Sequence, residues 1–439
     1  MSNLIVIKQK LKNFNKKITV SGDKSLSIRW VLFSSIADGV SKAHNLLMSD
    51  DVYAAIDAIK KLGVKVTIKK NLCKIFGNGI NGYKYKKNLV INAQNSGTLG
   101  RLILGLLVSS PTTIKLIGDK SLSKRDFERV TRPLKKFGVT FKLNKNKGLP
   151  LTIKGSNKLK AINYLEDKGS AQCKSSIIFA GMKSAGTTFI KAKKSRNHTE
   201  LLCKYLNLPI NVTTKNNYDF IRVNNVKKIK PLNYNIPSDI SSSAFFMVLT
   251  ALSKKSKLTI KNVNINPSRT GVITILKKMG VIILFKNTKI YKGERIADIH
   301  IKSPGKLKPI NCPKKLNSGA IDEFLVIFLL AAKAKGISSF KDLAELNQKE
   351  SPRLQWGAKI LNEMGIKTIL TNNSIRIFGN PNLEINKKII IKDYLKDHRV
   401  FMTSIIAALS FGGEWYIHDK DSIKTSFPLF LNIVDSLKK

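Results

Sequence analysis

Four stretches of the chain close in the same way. AIKKLGVKVTI, PLKKFGVTFKL, ILKKMGVIILF and ILNEMGIKTIL each end an amphipathic helix, stop at a glycine and run on as a strand. The glycines are Gly63, Gly138, Gly280 and Gly365. Lysines crowd the last helical turn of the first three, where they suit the negative end of the helix dipole, and a glycine just beyond is the residue that best leaves a helix through the left-handed region. A weaker copy, LLCKYLNLPINVT, fills the middle gap, and a sixth helix, FLNIVDSLKK, ends the sequence. The strand due after that last helix has a candidate in NLIVIKQ, which has no helix before it.

A second helix class also occurs six times and is far more apolar: DKSLSIRWVLFSSIADG, NSGTLGRLILGLLVSS, SAQCKSSIIFAGMKSAG, DISSSAFFMVLTALSKK, IDEFLVIFLLAAKAKG and DHRVFMTSIIAALSFGG. Helices apolar on most sides are buried. All six are expected to open on an Asp, Asn or Ser cap. The chain therefore reads as an α/β repeat protein of six units, each about 73 residues long and holding a buried helix, a strand, an outer helix and another strand. The natural grouping is three plus three, around NYNIPSDISSS.

Totals narrow the function. The 439 residues carry 78 Lys and Arg against 28 Asp and Glu, a net charge of +50. The lysines are spread along the whole sequence, without the aromatic RNA-binding motif, zinc finger or basic tail that marks a nucleic-acid protein. No nucleic-acid partner is expected; anionic small molecules are. The four cysteines form no CxxC pair and the five histidines are scattered, so no metal or disulfide framework is expected. MSNLIVIKQKLKNF lacks the apolar core and cleavage site of a signal peptide, and FLVIFLLAA is too short to span a bilayer. The expectation is a cytoplasmic protein without a membrane partner.

Polar residues able to do chemistry gather at helix starts, where free N–H groups and the dipole favour anions. Lys24, Ser25 and Arg29 lie at the first buried helix; Asn95, Gly97, Thr98 and Arg101 at the second; Ser170 and Gln172 at the third; Asp239, Asp322 and Asp397–Arg399 at the rest. Arg125, SRNHTE, NPSRTG, KESPRL and KTSFP stand at the outer helices. Taken singly these are caps and solvated side chains; so many in one chain suit phosphate and carboxylate ligands. The octapeptide GDKSLSIR at Gly22–Arg29 returns as GDKSLSKR at Gly118–Arg125. The first opens a buried helix and the second leads to an outer one, so the echo reads as a coincidence, with Lys120 and Ser121 in a loop.

In these residues the chain resembles the EPSP synthase family of enolpyruvyl transferases. GDKSLSIR, NSGTLGR and SLSKR match its motifs, and SAQCKS, SRNHTE, IPSDISSSAFF, NPSRTG, IDEF, KESPR, DHR and SFP follow in the family's order over nearly all of the chain. The resemblance implies an inside-out α/β barrel of two similar domains, each of three βαβαββ units: residues 22–236, and 1–21 plus 237–439, with the N-terminal strand joining the C-terminal half and the active site in the cleft between them. It also implies transfer of the enolpyruvyl group of phosphoenolpyruvate to the 5-hydroxyl of shikimate 3-phosphate, without a cofactor. Asp322, Glu350 and Lys24 would be catalytic. Lys24, Ser25, Arg29, Ser170, Ala171, Gln172, Ser195, Asp322 and Lys349 would bind shikimate 3-phosphate. Lys24, Gly97, Arg125, Gln172, Arg353 and Arg399 would surround phosphoenolpyruvate, with Asn95, Thr98 and Lys424 as further candidates. Glyphosate would inhibit, and the enzyme would be a monomer. Departures from the family pattern are Ser21, Ile28, Asp126, Ser238 and Pro352; the last replaces an Asp and puts the hold on Arg353 in question. The rivals are the sister transferase acting on UDP-N-acetylglucosamine, and an inactive basic scaffold that binds nucleic acid.

Overall fold

The computed structural model describes residues 3–438. They divide into two compact units, one continuous and one split. The continuous unit is Gly22–Ile236 together with Lys292–Glu294; the split unit takes the chain up to Ser21, Pro237–Tyr291 and the chain from Arg295 onward.

Each unit contains three small sheets. In the continuous unit every sheet has four strands in one order. Val90–Asn92 lies parallel to Ile114–Ile117, which pairs antiparallel with Leu151–Lys154 and then Thr140–Leu143. Asn163–Glu166, Thr188–Lys193, Tyr218–Val223 and Ile210–Lys215 repeat that order. In the remaining sheet, Tyr234–Asn235 supplies the parallel edge beside Asp38–His44, followed by Leu72–Asn78 and Lys65–Lys69.

The split unit is built from both ends of the chain. Asn15–Ile18 runs parallel to Lys257–Asn264, in one sheet with Glu294–Lys302 and Ile282–Tyr291. Leu4–Ile7 lies antiparallel to Gly412–His418, whose other neighbour, Ile385–Ile391, is parallel. Gly336–Phe340, Ile375–Gly379 and Thr368–Leu370 form the third sheet. Each repeat thus holds more strands than the helix–glycine–strand reading counted. The return strands run from four residues in Leu151–Lys154 to nine in Glu294–Lys302, and exposed charged side chains such as Lys154 and Arg376 interrupt them.

The apolar helices are enclosed. Leu26–Phe33 in the helix Lys24–Ser35, Leu102–Leu104 in Gly97–Leu106 and Ile177–Ala180 in Ala171–Gly181 are at most 3% exposed throughout. Burying a leucine- or phenylalanine-sized side chain contributes about 1.5–3 kcal/mol, so these runs dominate the stability of the unit. Two helices approach so closely that a Cβ at Gly105 would stand 2.2 Å from the Ser176 carbonyl oxygen, and only glycine fits there.

Five of the six buried helices are capped by a side chain: Asp23, Ser96, Ser170, Asp239 and Asp397 each accept a backbone N–H of the first turn. The fifth helix in chain order, Phe324–Lys333, departs from the expectation. Its cap position is held by Glu323 in helical conformation, without a side-chain cap, and the Glu323 carboxylate accepts from Ser241 Oγ instead. The four glycines of the outer helices all have positive φ, 84°, 96°, 92° and 82°, and Asn207 takes that conformation (φ 54°) in the weaker copy.

The two copies of the octapeptide share a local geometry. Asp23 Oδ1 accepts from Leu26 N at 2.9 Å, and Asp119 Oδ1 accepts from Leu122 N at 2.7 Å. Both leucines are fully buried. Lys120 and Ser121 therefore lie in a capped helical turn, Lys120–Ser123, and not in a loop. The shared letters GDKSL encode one local device, used at two places in the continuous unit.

Candidate active site

Candidate residues fall into two sets, one in each unit, with different electrostatics. The set in the continuous unit is rich in cations. Arg29, 3% exposed, donates from Nε to Thr199 Oγ1 (2.8 Å), from Nη1 to the Ser25 carbonyl (3.1 Å) and from Nη2 to Ser175 Oγ (3.2 Å). These are neutral partners. Burial pushes its pKa down to about 10 against the pull of Glu200 and Asp23, and it stays charged at neutral pH. Lys24 Nζ stands 3.0 Å from Asp51 Oδ2.

The second buried helix brings Gly97, Thr98 and Arg101 together with the start of the third. Gln172 accepts from Arg101 Nη1 at 2.5 Å and donates to Thr98 Oγ1 at 3.1 Å. Arg125 donates to Asn95 Oδ1 at 3.3 Å. A Cβ at Gly97 would meet Arg125 Nη1 at 3.1 Å and Arg101 Nη1 at 3.5 Å, so this glycine keeps open the ground in front of two guanidinium groups. Burial, with Arg129 and Arg125 nearby, pushes the Arg101 pKa down to about 10. Asp126, one of the departures, accepts from Glu128 N at 2.7 Å, while its carbonyl takes a bond from Arg101 Nη2 at 3.4 Å.

Ser170 caps the helix Ala171–Gly181, leaving Ala171 and Gln172 in its first turn. Ser195 Oγ is buried and has no hydrogen-bond partner among the described residues. A buried hydroxyl without a partner is uncommon.

The set in the split unit mixes acids with cations. Arg353, 1% exposed, donates from Nε to Asp397 Oδ2 (2.9 Å), from Nη2 to Asp397 Oδ1 (3.3 Å) and Glu350 Oε2, and from Nη1 to Asp322 Oδ1 (3.4 Å). Burial alone would lower the Arg353 pKa; the carboxylates of Asp397, Glu350 and Asp322 outweigh it and raise it. Arg399 Nη1 donates to the Asp322 carbonyl at 2.6 Å, and Lys349 Nζ lies 3.8 Å from Asp322 Oδ1. Asp322 and Glu350 thus share one guanidinium and keep 17% of their side chains exposed, enough to meet a ligand.

Pro352 occupies the cap position of the helix Arg353–Glu363, and its carbonyl accepts from Trp356 N at 3.0 Å. Arg353 is held without a carboxylate there, because Asp397 grips it from the start of another helix and Ser351 Oγ donates to the same Asp397 oxygen at 2.9 Å. Lys424 lies on an exposed turn, 61% of its side chain open, with its ammonium 2.8 Å from Asp421.

Sequence reasoning missed several residues. Asp51, Ser175 and Thr199 orient Lys24 and Arg29 from other helices; Ser175 and Thr199 fall within SAQCKS and SRNHTE, but nothing local marks them as partners of Arg29, and Asp51 lies in none of the motifs. Glu166, 4% exposed, accepts from Ser170 N at 2.9 Å and so folds the approach to the third helix; burial pushes its pKa up, offset in part by backbone N–H groups from Lys168 to Ser170.

Comparison with known proteins decides the family. The model of EPSP synthase (3-phosphoshikimate 1-carboxyvinyltransferase) matches residues 8–434. The chain belongs to the EPSP synthase family. It is 39% identical to the 3-phosphoshikimate 1-carboxyvinyltransferase of Ruthia magnifica, over 96% of this chain and 94% of that one. With the Bacillus cytotoxicus enzyme of the same name it shares 36% identity over 97% and 98%. An EPSP synthase structure from Acinetobacter baumannii superposes with a TM-score of 0.87 at 36% identity, covering 99% of this chain and 98% of that chain. The enolpyruvyl transferase NikO of Streptomyces tendae, 13% identical with a TM-score of 0.77, shares the fold, over 100% of this chain and 98% of its own. The architecture is that of the enolpyruvyl transferases. The reaction is the family's: the enolpyruvyl group of phosphoenolpyruvate passes to the 5-hydroxyl of shikimate 3-phosphate, releasing phosphate. The sister reaction on UDP-N-acetylglucosamine is not favoured. Among the described residues no helix is long and apolar enough to cross a membrane.

Proposed function

We propose that the two residue sets divide the chemistry of this transfer between them, within domains bounded as 22–236 and 1–21 plus 237–439. Lys24, Ser25, Arg29, Ser170, Ala171, Gln172 and Ser195 hold shikimate 3-phosphate, joined by Asp322 and Lys349. Lys24, Gly97, Arg125, Gln172, Arg353 and Arg399 receive phosphoenolpyruvate, whose charge is met by guanidinium forks that match phosphate and carboxylate geometry. Asn95 and Thr98 position Arg125 and Gln172. Lys424 plays a lesser part, given its exposure.

Asp322 takes the proton of the 5-hydroxyl as its oxygen attacks C2 of phosphoenolpyruvate. Glu350, with Lys24, delivers a proton to C3, and the same groups recover one when the tetrahedral intermediate expels phosphate. What carries this assignment is that Asp322 and Glu350 stand on one buried guanidinium, Arg353, which holds both carboxylates ready at once. Glyphosate competes at the arginine-lined donor site, and Gly97 keeps room for it. Turnover needs neither metal nor nucleic acid, and the enzyme works in the cytoplasm as a monomer.

The test is phosphate release from phosphoenolpyruvate by the purified protein, with shikimate 3-phosphate or UDP-N-acetylglucosamine as acceptor. Release with the first alone, abolished in Asp322→Ala and Glu350→Ala, is the expected result. Full turnover in either variant overturns the proton assignments, and release with neither acceptor favours the inactive basic scaffold.

A further inference from the structure

The third sheet of the continuous unit has a solvent face unlike the others. Its strands run in the order Asn163–Glu166, Thr188–Lys193, Tyr218–Val223, Ile210–Lys215. Side chains of a strand alternate between faces. Glu166 and Asp219 turn inward and are buried. The outward rows read Asn163, Phe189, Arg222, Asn211; then Leu165, Lys191, Phe220, Thr213; then Lys193, Tyr218, Lys215. No acid stands in those rows.

Both central strands carry rings, and the rings are open: Phe189 is 43% exposed and Phe220 is 40%. Cations interleave with them. The Arg222 guanidinium lies 5.5 Å from the Phe189 ring centre, and Lys191 Nζ lies 5.1 Å from Tyr218 and 5.7 Å from Phe220. Three other sheets present one outward ring each among their described strands, Phe76, Phe378 and Tyr416, under lysine or arginine cations.

We propose that this face binds single-stranded RNA. Four-stranded sheets bind unpaired bases by stacking them on aromatic rings of the two central strands, while neighbouring Lys and Arg take the phosphates. Here Phe189, Phe220 and Tyr218 supply the rings, and Lys191, Lys193, Lys215 and Arg222 supply the charge. Asn163, Asn211 and Thr213 interleave donors and acceptors suited to the 2′-hydroxyl, the group that separates RNA from DNA. The chain's net charge of +50 favours the approach of any polyanion, and the rings turn that general attraction into a local site. The sequence hid this arrangement because the rings arise from strands separated by a helix and the strand Ile210–Lys215, and not from one contiguous motif.

The experiment is fluorescence polarisation of a labelled single-stranded RNA dodecamer with the full chain near physiological salt. The double variant Phe189→Ala, Phe220→Ala should bind roughly tenfold more weakly for each ring removed, with the salt dependence unchanged. Arg222→Ser should instead flatten the salt dependence. Neither change touches the enolpyruvyl transfer machinery, so retained phosphate release confirms the fold of each variant. Equal binding by parent and double variant overturns the site and leaves dispersed surface charge as the cause. Equal binding of the corresponding DNA strand overturns the RNA assignment. Tighter, ring-dependent binding to phosphatidylserine vesicles assigns the face to a membrane and overturns it too.

Discussion

Removing the Asp397 carboxylate separates two roles that one side chain performs. Oδ2 receives bonds from Arg353 Nε and Ser351 Oγ, both at 2.9 Å, and Oδ1 receives the Arg399 backbone N–H at 2.9 Å as the cap of the helix His398–Phe411. Asp397→Ala leaves Arg353 buried with Glu350 and Asp322, both partly exposed, as remaining partners. Breaking a buried ion pair by deleting one partner costs about 3–5 kcal/mol. Two surviving carboxylates place this case at the low end, about 3 kcal/mol, and loss of the cap adds about 1 kcal/mol. Asn caps a helix as well as Asp does, so Asp397→Asn should lose only the ionic part, about 3 kcal/mol. Urea unfolding of both variants measures the difference. An Ala variant within about 1 kcal/mol of the parent, or an Asn variant as weak as Ala, would refute the reasoning. The pH dependence follows with a definite sign. Burial would raise the Asp397 pKa, but Arg353 holds it below the usual value. A carboxylate with a depressed folded pKa contributes stability above its unfolded pKa of about 3.9 and loses it as pH falls through the folded value. The gap between parent and Asp397→Asn should therefore stay constant across neutral pH and close only in acid.

Gly97→Ala should raise KM for phosphoenolpyruvate several-fold and weaken glyphosate inhibition, since its methyl would press on Arg125 at 3.1 Å; unchanged kinetics would show that Arg125 yields freely. Glu166→Ala should raise KM for shikimate 3-phosphate about tenfold through loss of one buried hydrogen bond and leave kcat nearly unchanged; a fall in kcat alone would contradict a positioning role. Lys174 is fully buried between Glu200 at 2.6 Å and Asp219 at 3.1 Å, so Lys174→Met should destabilise the protein by about 3–5 kcal/mol by chemical denaturation, and a neutral effect would refute it. Arg29→Lys should weaken shikimate 3-phosphate binding despite the kept charge, because one ammonium cannot reproduce the bonds to Thr199, Ser175 and the Ser25 carbonyl; parent-like affinity by calorimetry would overturn that.

The buried helices were legible because they are apolar on every side, and the outer ones because Gly63, Gly138, Gly280 and Gly365 mark their ends. Hairpin return strands such as Leu151–Lys154 were not, since four residues with an outward lysine carry little period. Candidate site residues were legible by type and family motif; their partners were not. Thr199 lies 170 positions from Arg29, and Gln172 lies 71 from Arg101, so only the tertiary fold joins them. The echoed octapeptide teaches the reverse lesson. Its meaning was local, a cap from Asp to the leucine N–H three residues on, and comparing the places of the two copies in the repeat hid it.

The split unit has a consequence for synthesis in the cell. The Phe14 backbone N–H is satisfied by Ser256, 242 positions later, and Asn3 Oδ1 accepts from Asp421 N, 418 positions later. At ribosomal rates of about 5–20 residues per second, the emerging N-terminal segment waits roughly 20–80 s for its last partners. During that interval LIVI, a short apolar strand, has no sheet to join. The continuous unit can mature on the ribosome while the rest is still being made. The split unit can close only once its late strands have been made, and the segment that ends at Ser21 is the part of the nascent chain that a chaperone has most reason to shield.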